Sequence, residues 1–177
     1  AINDAPIITS AGFYPAFEDS SFNIDNISVD DVDVDEGDGL LQITIDCQDC
    51  KVSLPQPIVG ISFVSGNGFL NNSMIFTGSL IDINNSIGDL DIISDDDFCG
   101  FTNMQITADD MGNYSSSGLV AENHIVDISI DFEERNDPPV NEDELTSQVV
   151  PPIVSFSEDA LSLNTTDGLW NDALDEQ

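Results

Sequence analysis

The densest concentration of potential chemistry lies in the run Ser28-Val29-Asp30-Asp31-Val32-Asp33-Val34-Asp35-Glu36-Gly37-Asp38-Gly39. If the run is extended, alternate side chains share one side, so Asp31, Asp33 and Asp35 face together. Three like charges on one face repel, and converging on a cation is the least costly relief. Carboxylate, carbonyl and amide oxygens suit Ca²⁺, which takes about six to eight of them at roughly 2.3–2.6 Å. One segment cannot furnish that many, so other parts of the chain must contribute. A second acidic group, Asp109-Asp110-Met111-Gly112-Asn113, follows a strand-like run, a third donor is Glu18, and a fourth is the pair Asn136-Asp137.

The overall charge strengthens the case for an external cation. Among 177 residues there are 35 Asp+Glu and 2 Lys+Arg, a formal net charge of −33. Lys51 and Arg135 are the two bases. Internal salt bridges therefore cannot neutralise the acids, and self-repulsion opposes a compact state unless counter-ions are supplied. Most individual acids are expected to be solvated surface groups that confer solubility and discourage strand edges from pairing. The group Asp31, Asp33 and Asp110 is expected to bind Ca²⁺. Nucleic acid is excluded as a partner, because two bases cannot release counter-ions from a phosphate backbone. An anionic membrane would repel this surface unless Ca²⁺ bridged the two. No apolar run approaches the roughly 18–20 residues of a membrane span, so direct insertion is not expected. No leader is visible and residue 1 is not Met, so the sequence is expected to be a piece of something longer.

Other reactive residue types point less sharply. Cys47, Cys50 and Cys99 make an odd count. Pairing Cys47 or Cys50 with Cys99 would close a loop of about 50 residues, worth roughly 4 kcal/mol by loop entropy. The third thiol would be buried or would pair with another chain. A zinc set of Cys47, Cys50, Cys99 and His124 is disfavoured by the missing second Cys pair and by an oxidising compartment. His124, the one histidine, lies beside strand-like Ile125 and Val126 and has no partnered nucleophile, so no triad is expected. Carboxylate pairs are abundant, but none is singled out by an apolar pocket that would raise its pKa for glycosidase chemistry. The chain is therefore expected not to be an enzyme. Trp170 falls outside the complete unit described below and is expected to anchor in a neighbouring module. Five Asn-X-Ser/Thr sequons, at Asn26, Asn71, Asn84, Asn113 and Asn164, are candidate N-glycosylation sites and favour an extracellular location.

The elements that must position these residues show an apolar period of two. Leu41, Ile43, Ile45 and Cys47 alternate with polar residues, as do Met104, Ile106 and Ala108, and Val126, Ile128, Ile130 and Phe132. Shorter strands are expected at Phe22–Ile24, Val52–Leu54, Gly60–Val64, Ser73–Thr77 and Leu90–Ile93. Leu80, Ile83 and Ile87 fall at spacings of three and four after Ser79, which predicts a short helical crossover. Gly, Asn, Asp and Pro clusters separate these runs. With 40% hydrophobic residues a real core can form. The pattern predicts an all-β, Greek-key β-sandwich of about seven strands.

An internal repeat sets the boundaries. Asn3-Asp4-Ala5-Pro6-Ile7 recurs as Asn136-Asp137-Pro138-Pro139-Val140, and Phe17-Glu18-Asp19 recurs as Ser157-Glu158-Asp159. Residues 1–137 are expected to form one complete module with flanking linkers. Residues 138–177 are expected to be a linker and the opening of a second, incomplete module.

The order Glu-Asp, then Val-Asp-Asp-Val-Asp, then Ala-Asp-Asp-Met-Gly-Asn, then Arg-Asn-Asp-Pro-Pro resembles the cadherin superfamily. It is similar in particular to the long cadherin-like repeats of giant extracellular adhesion proteins, over about residues 3–140. The resemblance implies an immunoglobulin- or cadherin-like sandwich with Ca²⁺ at the junctions between modules. Carried over by position, it implies Glu18, Asp31, Asp33, Asp110, Asn136 and Asp137 as ligands. Asn3 and Asp4 would be the linker from a preceding module, and Glu158 the leading acid of the next. The linker here is Asn-Asp-Pro-Pro without the family's leading Asp, and the module exceeds the usual length.

The function expected from these features is an extracellular structural or adhesive repeat that is rigidified by Ca²⁺. Its partners would be tandem modules or neighbouring copies of the same protein. Residues 153–163 could add a strand to such a copy and build a filament. The alternative is a Ca²⁺-dependent carbohydrate-binding module, with glycans as partners and Tyr14 and Tyr114 as its exposed aromatics.

Overall fold

In the computed structural model, residues 3–112 and 121–136 are described, and all of them belong to the compact unit Ala1–Asp137. The second module expected from residue 138 onward lies outside the described residues, and so do Asn113, Tyr114, Asp137, Glu158, Asn164 and Trp170.

The alternating runs become strands with their apolar sides turned inward. Strands β5 (Leu40–Cys47), β10 (Gly100–Asp109) and β11 (Asn123–Glu133) bury Leu41, Ile43, Ile45, Met104, Ile106, Ile128, Ile130 and Phe132. They form the centre of a six-stranded sheet in the order β2-β11-β10-β5-β8-β7, with β2 (Phe13–Phe17), β7 (Ile61–Ser65) and β8 (Ser73–Ser79). A three-stranded sheet, β3-β9-β6, faces it, built from β3 (Phe22–Asp25), β6 (Cys50–Ser53) and β9 (Asp89–Ser94). Ile24, Val52, Leu90 and Ile92 form its buried side. Phe22 and Phe98 meet Phe132 edge-on, with ring centroids 5.9 and 6.2 Å apart, and so join the two layers. Consecutive strands pair at β10–β11 and β7–β8, whereas β2–β11, β10–β5, β5–β8, β3–β9 and β9–β6 join strands distant in sequence, as a Greek-key sandwich requires.

Eleven strands occur among the described residues, where about seven were expected. The unexpected ones are β1 (Ile7–Thr9), β2 and β4 (Ser28–Asp30). Strands of three residues are too short to show a period, and Pro15 interrupts β2. Pro15 is tolerated because β2 is an edge strand, paired only with β11, in parallel. Strands β1 and β4 pair with each other and tie the N-terminal segment down.

The expected helix is α1 (Leu80–Ile87), with Ser79 as its N-cap and Ile83 and Ile87 buried. Asn84 fastens α1 to β4. Its Oδ1 accepts Val29 N at 2.8 Å and its Nδ2 donates to Val29 O at 2.9 Å, replacing a missing strand.

Cys47 closes β5 and Cys50 opens β6, and the two are disulfide-bonded with a Cα–Cα distance of 5.3 Å. The expected pairing of either one with Cys99 is therefore corrected. Only Gln48 and Asp49 lie between them, where the chain leaves one sheet for the other, so the crossover itself brings them together. Cys99 is a free, exposed thiol rather than a buried one.

Candidate functional site

The chain passes from β4 into Asp31–Asp33 and then a 3₁₀ turn at Val34–Glu36. The extended geometry expected for this run is corrected by that turn: Asp31 and Asp33 are buried, whereas Asp35 points to solvent. Asp33 N donates to Asp31 Oδ1 at 3.1 Å, locking the two into a tight bend.

Asp110, fully buried at the end of β10, belongs to the same cluster. Its Oδ1 accepts Gly112 N at 2.8 Å and Glu122 N at 2.9 Å. Its Oδ2 accepts the amide of buried Asn3. Asp4 N donates to Asp33 Oδ2 at 3.1 Å, so the N-terminal Asn-Asp pair closes over the acids. The next stretch, β1, is held by His124, whose Nδ1 accepts Ile8 N at 2.9 Å. With Cys47 and Cys50 bonded to each other and His124 engaged in this way, the disfavoured zinc set is not assembled.

The electrostatics of this pole are unfavourable as it stands. Burial pushes the Asp31 carboxyl up to about 6, helped by a carboxyl–carboxyl hydrogen bond with Asp33 and by the charges of Asp33 and Asp110. When both acids are ionised, neither can donate to the other. Asp31 Oδ2 and Asp33 Oδ1 are then buried oxygens with no hydrogen-bond donor. A proton or a cation satisfies such oxygens. Neither base serves here: Lys51 Nζ pairs with Asp95 at 3.3 Å, and Arg135 lies beside Glu18 and Ser20. Among the described residues, no three His, Cys, Asp or Glu side chains already stand as a metal-holding group. The oxygens that fit a hard cation are Asp31 Oδ2 and Asp33 Oδ1, with Asp110 and Asn3 adjoining.

Glu18 sits elsewhere. Glu18 N donates to Glu133 O at 3.1 Å, and its Oε1 accepts Arg135 N at 2.7 Å, so this buried acid binds the exit of β11. Asn136 follows and is exposed. Glu122, beside Asp110, and Glu133, beside Glu18, stand at opposite ends of β11, roughly 36 Å apart at about 3.3 Å per residue. The ligands implied by the resemblance thus divide between two poles, with Asp31, Asp33 and Asp110 at one, where Asn3 joins them, and Glu18 and Asn136 at the other. Sequence reasoning placed Asn3 only as a linker; its signal was the repeated Asn-Asp.

The sequons differ in setting. Asn26 is exposed, with φ 62°. Asn71 Oδ1 caps Asn67 N and Gly68 N at 2.9 and 3.0 Å, and Asn84 is engaged with Val29. Tyr14 is half-buried against the core and is not an exposed aromatic, contrary to expectation.

No protein-family model matches the chain, and no curated protein matches it. Among solved structures, a cohesin module from a Clostridium perfringens family 33 glycoside hydrolase is similar at 10% identity and a TM-score of 0.40, covering 75% of this chain and 100% of that one. Among the described residues, no helix is long and apolar enough to cross a membrane.

Proposed function

We propose that the module is an extracellular, non-catalytic structural or adhesive repeat, used in the manner of a cadherin-like module, whose Asn3–Asp31–Asp33–Asp110 pole binds Ca²⁺. The observation that carries this reading is the pair of buried carboxylate oxygens, Asp31 Oδ2 and Asp33 Oδ1, in one bend of the chain, neither with a hydrogen-bond donor. When bound, Ca²⁺ would supply the positive charge that the chain lacks. Asp31 and Asp33 would give carboxylate oxygens, Asp110 would hold Asn3 in place, and Asn3-Asp4 would tie the N-terminal linker to the body of the sandwich. A linker held in this way fixes the angle to a preceding module, which is what a load-bearing or adhesive array needs. The Cys47–Cys50 disulfide suits the oxidising compartment in which such arrays work. The expected partners are tandem modules or neighbouring copies.

Calorimetric melting of chelator-treated protein, with and without added calcium, tests the reading. Calcium at a hundredfold excess over its dissociation constant should stabilise the fold by ~2.7 kcal/mol. An unchanged melting curve would remove the proposal.

A further inference from the structure

The outward side of the six-stranded sheet carries a second surface that the calcium reading does not use. Pairing of β5, β10 and β11 places Asp46, Gln105 and Asp127 in one row across the strands. Asn103 and Ser129 form the next row, and Phe101 and Asp131 the row beyond. An open depression of about 460 Å³ lies over the first two rows, lined by Asp46, Asn103, Gln105 and Asp127 among others. Phe101, two residues from Asn103 on the same face, is 72% exposed, and Phe13, paired with Ser129, is 52% exposed. At about 6.8 Å for two residues along a strand and about 4.8 Å between strands, both rings border the polar rows.

Two donors on this face are already used. Gln105 Nε2 donates to Asp127 Oδ1 at 2.9 Å, and Ser129 Oγ donates to Asn103 Oδ1 at 2.9 Å. The Asp46 carboxylate, Asp127 Oδ2 and Gln105 Oε1 remain as acceptors with no donor among the described residues. These acceptors, together with the Gln48 and Asn103 amides as remaining donors in the lining, suit a ligand rich in O–H groups. Flanking aromatic rings call for one that also has a flat C–H face. A net charge of −33 turns away acidic polymers.

From this arrangement we infer that the outer face of the six-stranded sheet binds a neutral polysaccharide. Hydroxyls of two or three successive pyranose rings donate to Asp46, Gln105 and Asp127, and one ring stacks on Phe101. The face is separate from the Asp31–Asp33–Asp110 pole, so binding is independent of calcium and stands or falls apart from that reading.

Native affinity electrophoresis in chelator, with hydroxyethylcellulose, laminarin, galactomannan or glycol chitin in the gel and polygalacturonate as the acidic comparison, tests the inference. At least one neutral polymer should retard the protein. Phe101→Ser and Gln105→Ala, both at exposed positions, should each weaken that binding by about tenfold. The inference is overturned if no neutral polymer retards the protein, if both variants bind as well as the parent, or if polygalacturonate retards it equally.

Discussion

Replacing Asp31 with Asn should stabilise the calcium-free protein and destabilise the calcium-loaded one. An Asp carboxyl raised from 3.8 to about 6 carries a folding penalty of about 3 kcal/mol once ionised. Because the folded-state value lies above the unfolded one, the folded chain holds its proton longer. The penalty is therefore absent below about pH 4, grows between 4 and 6, and is complete above about 6. Without calcium at pH 7, Asp31→Asn removes the charge and keeps an oxygen for Asp33 N. Its melting temperature should then exceed the parent's by on the order of 10 °C. At pH 4 the two proteins should melt together. In excess calcium the order should invert, since the neutral amide weakens the cation site and the binding contribution falls with it. Differential scanning calorimetry of both proteins, in chelator at pH 4 and 7 and in calcium at pH 7, reads all three comparisons. The reasoning is refuted if Asp31→Asn is the less stable protein in chelator at pH 7, or if calcium leaves the difference unchanged.

Further predictions concern the same pole and the scaffold behind it. Calcium competes with the Asp31 proton, so its apparent dissociation constant by isothermal titration should rise about tenfold from pH 7 to pH 5, given a carboxyl at about 6. Replacing Cys47 and Cys50 with Ser opens a four-residue loop and should cost about 2 kcal/mol in urea unfolding, whereas Cys99→Ser should cost nothing measurable. Asn84→Leu strips both hydrogen bonds from buried Val29 and should cost about 2–4 kcal/mol by the same assay.

What the sequence reveals depends on how far each signal extends along the chain. The long alternations of β5, β10 and β11 span eight to eleven residues and declare their buried faces outright. The Ser79 cap with Leu80, Ile83 and Ile87 likewise declares α1. Strands β1 and β4 have three residues each, and long-range pairing and the Asn84 clasp hold them more than any local pattern does. The acidic run reads as extended by alternation, but Asp33 N turns back to Asp31 Oδ1 and Glu36 N to Asp33 O, and Asp4, remote in sequence, closes over the bend through Asp33 Oδ2. The turn leaves Asp35 facing water while Asp31 and Asp33 are buried. The disulfide follows from the crossover between sheets, which the spacing of three cysteines does not encode. The outer surface was missed because only cross-strand register brings Phe13 beside the Asn103–Ser129 row and sets Asp46 and Asp127 on either side of Gln105.

The most direct measurement is a crystal structure grown in calcium, with an anomalous difference map collected at a wavelength where calcium scatters strongly. The account predicts a peak between Asp31 Oδ2 and Asp33 Oδ1, with Asp110 and Asn3 drawn in around it. A map with no peak there, and the two carboxyls left without a cation or turned out to water, would contradict it.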